Sequence, residues 1–163
     1  MEPELIQRSA QPYVSITSLA RMGQLGIQLG PKIGEVFGWL AARGTAPAGP
    51  PFWKYNVIDM DGDMEVEVGV PTADHLDGDE QVQPHVLPAG HYVLAHHVGH
   101  PDTLEDATRQ LLEWGEANGI TWDVADSPDG DRWVARVEEY LSNPDDEPDM
   151  DKWRTNLIFK VAD

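Results

Sequence analysis

The sequence predicts an α+β fold. Duplicated β-α-β-β units form an antiparallel sheet with both helices on one face and a ligand cleft on the other. Three observations lead to it. The order strand, helix, strand, strand is read twice, in a pseudo-repeat at 11–74 and another at 83–163, within a single domain spanning 1–163. The two helical segments superpose at an offset of 75 residues, which sets Trp39 on Trp114 and Gly44 on Gly119 (114 − 39 and 119 − 44). Asp61-Gly62 between two alternating segments is a strong hairpin signal. Units of this kind each have one apolar stripe and one apolar sheet face, and bury both most simply by laying the helices on a shared sheet.

The elements follow in order. Tyr13 to Leu19 alternates as a strand does, with Val14 and Ile16 on one side and Tyr13, Ser15, Thr17 and Leu19 on the other. Ile33, Val36, Phe37, Leu40 and Ala41 recur at helical spacing, so a helix is expected over 31–43, ended by Gly44 and divided from an earlier loop by Gly30-Pro31. Two strands, 52–58 and 64–70, flank the Asp61-Gly62 turn. Val66, Val68 and Val70 should face the helices, leaving Glu65 and Glu67 to the groove or to solvent. In the second half, 90–98 reads as a strand. Asp102-Thr103-Leu104 opens a helix over 102–118 that carries Leu104, Thr108, Leu111, Leu112 and Gly115 on one side. A strand over 133–141 follows, in which Val134, Arg136, Glu138 and Tyr140 share one face; Val137 and Leu141 belong under the second helix, which sends Glu138 and Tyr140 to the groove. A strand over 155–161 closes the chain.

Composition narrows the function. With 163 residues, 40% of them hydrophobic, the chain can bury a sizeable core. Its 29 acidic and 11 basic residues give a net charge of −18, which repels phosphate backbones and anionic membranes and favours cationic partners. The acidic stretches 74–80 and 145–151 read as solvated loops without function. The absence of cysteine excludes disulfides, thiolate metal sites and a cysteine nucleophile. The first residues lack a basic start followed by an apolar run, and no apolar segment nears spanning length, so a cytoplasmic protein is expected.

A carboxylate two residues from a tyrosine on the mixed face of a strand supplies an aromatic wall and one fixed charge. Glu138-x-Tyr140-Leu141-Ser142-Asn143-Pro144 occurs with Trp153-x-Thr155-Asn156-Leu157, Leu87-Pro88-Ala89-Gly90-x-Tyr92 and Gly99-His100-Pro101. Together these resemble the GyrI-like small-molecule-binding domain, a family that includes effector-binding domains of AraC-type and MerR-type multidrug-responsive regulators. The resemblance covers nearly the whole chain. It implies a duplicated β-α-β-β fold with a central aromatic cleft, a glutamate at its base that carries over to Glu138, and aromatic lining from the first-half strand, here Trp53 and Tyr55. Glu139 stands where the family commonly has an apolar residue, and no attached helix-turn-helix is expected.

Other chemistry is poorly supported. His96-His97 with His100 matches no common zinc spacing, and Asp59-Met60-Asp61-Gly62-Asp63 places its glycine too early for a calcium loop. Neither a phosphate-binding glycine loop nor a serine nucleophile elbow is present, and no cofactor or metal is expected. Three functions stay open. The first is a stand-alone binder of bulky hydrophobic, often cationic aromatic molecules, for sequestration or sensing, held by Trp53, Tyr55, Tyr140 and Glu138. The second, implied by the resemblance, is a hydrolase that opens cyclopropane-bearing DNA-alkylating compounds, with Glu138 as general base and Tyr55 or Tyr140 beside it. The third is an acidic protein partner such as a gyrase inhibitor.

Overall fold

Every strand pairing is antiparallel, and the strands form one curled sheet. The computed structural model describes residues 2–163. Along the chain these form β1 (Glu4–Arg8), β2 (Gln11–Ala20), α1 (Leu25–Ala42), β3 (Phe52–Ile58), β4 (Met64–Pro71), β5 (Gln83–Leu87) and β6 (Gly90–Val98). Then come α2 (Leu104–Ala117), β7 (Val124–Ser127), β8 (Gly130–Trp133), β9 (Arg136–Tyr140) and β10 (Arg154–Lys160). Short 3-10 turns precede both helices and β10. The α+β architecture with two helices on a shared antiparallel sheet is the one the sequence predicts. β3 and β9 meet at its centre, with β4, β2 and β5 outward on one side and β10, β6 and β1 on the other. No helix among the described residues is long and apolar enough to cross a membrane.

Each helix covers one end of the sheet. Leu25 and Leu29 of α1 cluster with Val66 and Val68, and Val36 and Leu40 with Val14 and Val70. Leu111 of α2 clusters with Val93, Ala95, Leu157 and Phe159. The opposite face holds a cluster with no helical member, in which Tyr13, Phe52, Tyr92, Val137 and Ile158 meet where the sheet curls. Val137 therefore packs behind the sheet, not under the second helix as expected.

The elements depart from the sequence reading at α1, at the strand expected over 133–141, and at β1, β5 and β7, which that reading does not include. α1 starts at Leu25 and runs through Gly30-Pro31. Pro31 removes a backbone bond to Ile27, whose side chain is 81% exposed, so that stretch faces water able to replace the bond. The strand expected over 133–141 is two strands. A bend at Val134, whose N–H bonds the Asp123 carbonyl, separates β8 from β9, so Trp133 packs under α2 while Ala135 and Val137 join the rear cluster. β7, with its exposed Val-Ala-Asp-Ser sequence, carries no alternation to mark it.

Gly115 shows what tight packing demands in α2: a Cβ there meets the Trp122 ring at 2.2 Å. Gly115→Ala is expected to destabilise the protein by about 1–3 kcal/mol through overpacking, measured as a shift in the urea midpoint at constant slope.

Candidate functional site

Strand register places the site. One row of cross-strand partners runs Val68, Trp53, Glu138, Leu157, Ala95 over five adjacent strands. Partners directly opposite share a face. Val68 lies under α1, while Leu157 and Ala95 lie under α2, so Trp53 and Glu138 occupy the same face in the gap between the helices. A cleft of about 1350 Å³ opens there, walled by Gly30, Ile33 and Phe37 of α1 and by Leu104, Glu105 and Thr108 of α2. The cleft is thus on the helix-bearing face, not on the opposite one as expected. The helices ride over the outer strands and leave β3 and β9 uncovered between them.

The floor is built from both central strands. β3 contributes Trp53 and Tyr55, and β9 contributes Arg136, Glu138 and Tyr140. Because Trp53 pairs with Glu138, the segments Trp53-x-Tyr55 and Glu138-x-Tyr140 are related by an approximate two-fold through the β3/β9 junction. The Tyr140 hydroxyl donates to Glu138 Oε2 at 2.8 Å. The Trp53 and Tyr140 rings meet edge to face, with centroids 5.4 Å apart and planes at 80°. The Arg136 guanidinium lies 4.8 Å from the Phe159 ring centroid, 5.0 Å from that of Trp133 and 5.8 Å from that of Tyr55.

Burial sets the protonation of this floor. It pushes the Glu138 carboxyl above the usual carboxylate range, against the Tyr140 hydrogen bond, the Arg136 charge and the Tyr55 hydroxyl. Burial, and then the Glu138 charge, hold the hydroxyls of Tyr55 and Tyr140 well above the ordinary tyrosine value, so both remain proton donors at neutral pH. Glu138 keeps partial exposure to the cleft, and among the described residues it makes no ion pair. A cation entering the cleft therefore finds a carboxylate that the Arg136 charge acts on without forming an ion pair with it.

The neighbouring acids go elsewhere. Glu139 faces the rear of the sheet, where Arg8 Nη1 and Asn156 Nδ2 each donate to it at 3.3 Å. Glu67, expected in the groove or in solvent, is 4% exposed on that rear face. Its Oε1 accepts from Ser15 Oγ at 2.8 Å and Tyr13 Oη at 2.9 Å. Its Oε2 accepts from Asn56 Nδ2 at 2.8 Å and Lys54 Nζ at 3.3 Å. Lys54 and Asn56 alternate with Trp53 and Tyr55 along β3, so this network fixes the back of the strand that carries the cleft aromatics.

The sequence reading missed the rim. Asn143, Pro144, Asp145, Met150 and Trp153 line the cleft, so the loop read as solvated and without function borders the site. Its order comes partly from the Trp153 indole, which donates to the Glu147 carbonyl at 2.7 Å. A tryptophan closing an acidic loop was the available signal. Ile33 and Phe37 show only a helical spacing in the sequence, and periodicity does not distinguish a core face from a cleft wall.

A family model described as a GyrI-like small molecule binding domain matches residues 1–162. The chain belongs to the GyrI-like family. No curated protein matches this GyrI-like domain. Its fold is similar to the solved C-terminal domain of EcmrR (21% identity, TM-score 0.77, covering 99% of this chain and 97% of that one). It spans 57% of the EcmrR chain solved in complex with DNA. It is also similar to SAV2435 bound to tetraphenylphosphonium (14% identity, TM-score 0.66, 99% and 94% covered). A further similar structure is that of a hydrolase from Listeria innocua (16% identity, TM-score 0.67, 99% and 92% covered). At these identities the likeness shows the fold.

Proposed function

We propose that this GyrI-like domain binds bulky hydrophobic, often cationic aromatic molecules in the cleft between its helices, as a sequestering or sensing module. The observation that carries the reading is Glu138: a carboxylate without an ion-pair partner among the described residues, on a floor that it shares with Trp53, Tyr55 and Tyr140 and with Arg136, whose guanidinium lies over the Phe159, Trp133 and Tyr55 rings. Trp53, Tyr55 and Tyr140 supply π faces for cation–π and stacking contacts, and the cleft is large enough to take most of a drug-sized ligand out of water. The similar SAV2435 was solved with tetraphenylphosphonium, a permanent aromatic cation and the natural first probe.

Trp53→Ala is expected to weaken tetraphenylphosphonium binding by about 1–3 kcal/mol with the fold retained, because the indole lines the cleft and its removal leaves the rear network of β3 intact. Titration calorimetry beside far-UV circular dichroism reads both quantities. Unchanged affinity would remove β3 from the site.

A second reading rests on the Tyr140–Glu138 hydrogen bond and the raised Glu138 carboxyl, which together suit a general base acting on water with a tyrosine hydroxyl beside it. In that reading Glu138 and Tyr55 or Tyr140 hydrolyse a cyclopropane-bearing electrophile. Incubation with such a compound, followed by tryptophan fluorescence and product mass together, separates the two: turnover with a mass gain of one water selects the hydrolase, and saturable quenching without product selects the binder.

A further inference from the structure

Beside Ile33 and Phe37, the wall that α1 and the turn before it give the cleft includes a stretch of bare backbone. Gly23, Gly26, Gly30 and Gly34 line it, spaced so that they stack along one side. Glycine is the poorest interior helix former after proline, and Gly26, Gly30 and Gly34 all lie inside α1. Close packing is the common reason for such residues, and Gly115 of α2 is that case. On this wall the reason is absent: a Cβ built on Gly23 in the preceding turn, or on Gly26, Gly30 or Gly34 of α1, meets nothing within 4 Å. Backbone conformation is not the reason either, since the positive-φ glycines are Gly44, Gly90, Gly99, Gly119 and Gly130. What the missing side chains leave is open cleft.

The second half of the chain is an internal comparison. At the 75-residue offset that superposes the helices, Gly26, Gly30 and Ile33 correspond to Pro101, Glu105 and Thr108 (101 − 26, 105 − 30 and 108 − 33). All six line the cleft. Along the glycines one wall is therefore set back and uncharged, with side chains at Ile33 and Phe37, and the facing wall carries side chains that include Glu105. Two observations apart from the glycines point to a ligand on the floor between these walls. Among the described residues, Glu138 has no ion-pair partner and the Trp53 indole N–H has no hydrogen-bond partner.

We propose that the glycine face of α1 determines the cleft's width and selects its ligands: it admits a broad, multi-ring apolar body against the helix backbone, with the cationic group directed toward Glu138 and the α2 wall. This deepens the binding reading above and rests on it. Slim single-ring cations do not need the set-back wall, whereas branched or polycyclic cations do.

The test uses two permanent cations, tetraphenylphosphonium and phenyltrimethylammonium, against Gly30→Leu, Gly34→Leu and Gly30→Ala. Gly38→Ala serves as a control, since Gly38 lies on α1 outside the cleft lining. Side chains added at the wall should weaken tetraphenylphosphonium at least about tenfold in Gly30→Leu, and less in Gly30→Ala, while phenyltrimethylammonium changes by less than about threefold. Gly38→Ala should alter neither. Circular dichroism and thermal midpoints establish that each variant is folded, and Gly30→Ala guards against a Gly30→Leu variant that is not. Folded Gly30→Leu and Gly34→Leu that both keep wild-type tetraphenylphosphonium affinity overturn the width assignment alone. A wild-type protein that binds neither cation overturns the binding reading, and this inference with it.

Discussion

Glu138→Gln is expected to weaken tetraphenylphosphonium binding about 30-fold at neutral pH, roughly 2 kcal/mol, because the substitution keeps the size of the side chain and removes the one cleft-floor charge of opposite sign to the ligand. The folded protein should not suffer. Burial raises the Glu138 carboxyl above its unfolded value, so the stability linked to this group is fully present below the unfolded pKa and is lost as pH rises through the folded pKa. Glutamine escapes that loss, and the variant should be at least as stable as the wild type near neutrality. Affinity in the wild type should be present above the empty-protein pKa of Glu138 and fall as pH drops through it, while the Glu138→Gln profile is flat. Glu139→Gln is the control. Its side chain faces Arg8 and Asn156 behind the sheet, so it should leave the profile unchanged. A flat profile in Glu139→Gln with a wild-type one in Glu138→Gln would reverse the assignment.

Glu67→Ala should produce the largest loss of stability, about 3–5 kcal/mol, since it strands a 9%-exposed Lys54 ammonium and leaves the Tyr13, Ser15 and Asn56 donors without their shared acceptor. Burial alone raises the Glu67 carboxyl, but Lys54, Asn56, Ser15 and Tyr13 together outweigh it and hold the group below its ordinary value. Its contribution is therefore fully present above the unfolded pKa and is lost as the pH falls through the folded pKa. Urea unfolding of wild type and Glu67→Ala at neutral and acidic pH should show the gap between them closing on the acid side. A gap of less than about 1 kcal/mol at neutrality would mean that the rear network does not anchor β3.

The elements that the sequence reveals are those whose chemistry is local. The hairpin at Asp61-Gly62, the strand over 90–98 and the valine alternation of β4 each follow from neighbouring residues, and the structure has them. Side-chain parity likewise puts Arg136, Glu138 and Tyr140 together on one side of β9. What the sequence hides is set by distant partners. The choice of face for the cleft depends on how far apart the two helices sit on the sheet, which no single segment encodes. The burial of Glu67 depends on Lys54, Ser15 and Tyr13, three side chains from other strands. The sequence starts α1 too late because Gly30-Pro31 is a local breaker, and tertiary packing of Leu25 and Leu29 on β4 overrides it.

The central claim is that Glu138 is the charge that meets a cation in the cleft, and proton release tests it most directly. Tetraphenylphosphonium keeps its charge at every pH, so any proton exchanged on binding comes from the protein. A bound cation favours the ionised carboxylate and lowers the pKa that burial has raised. Calorimetric titrations at matched pH in two buffers of different ionisation enthalpy should therefore show net proton release as the pH approaches the empty-protein pKa of Glu138 from above, and none in Glu138→Gln. Binding heats that are independent of buffer at every pH in the wild type, or equal release in Glu138→Gln, would contradict it.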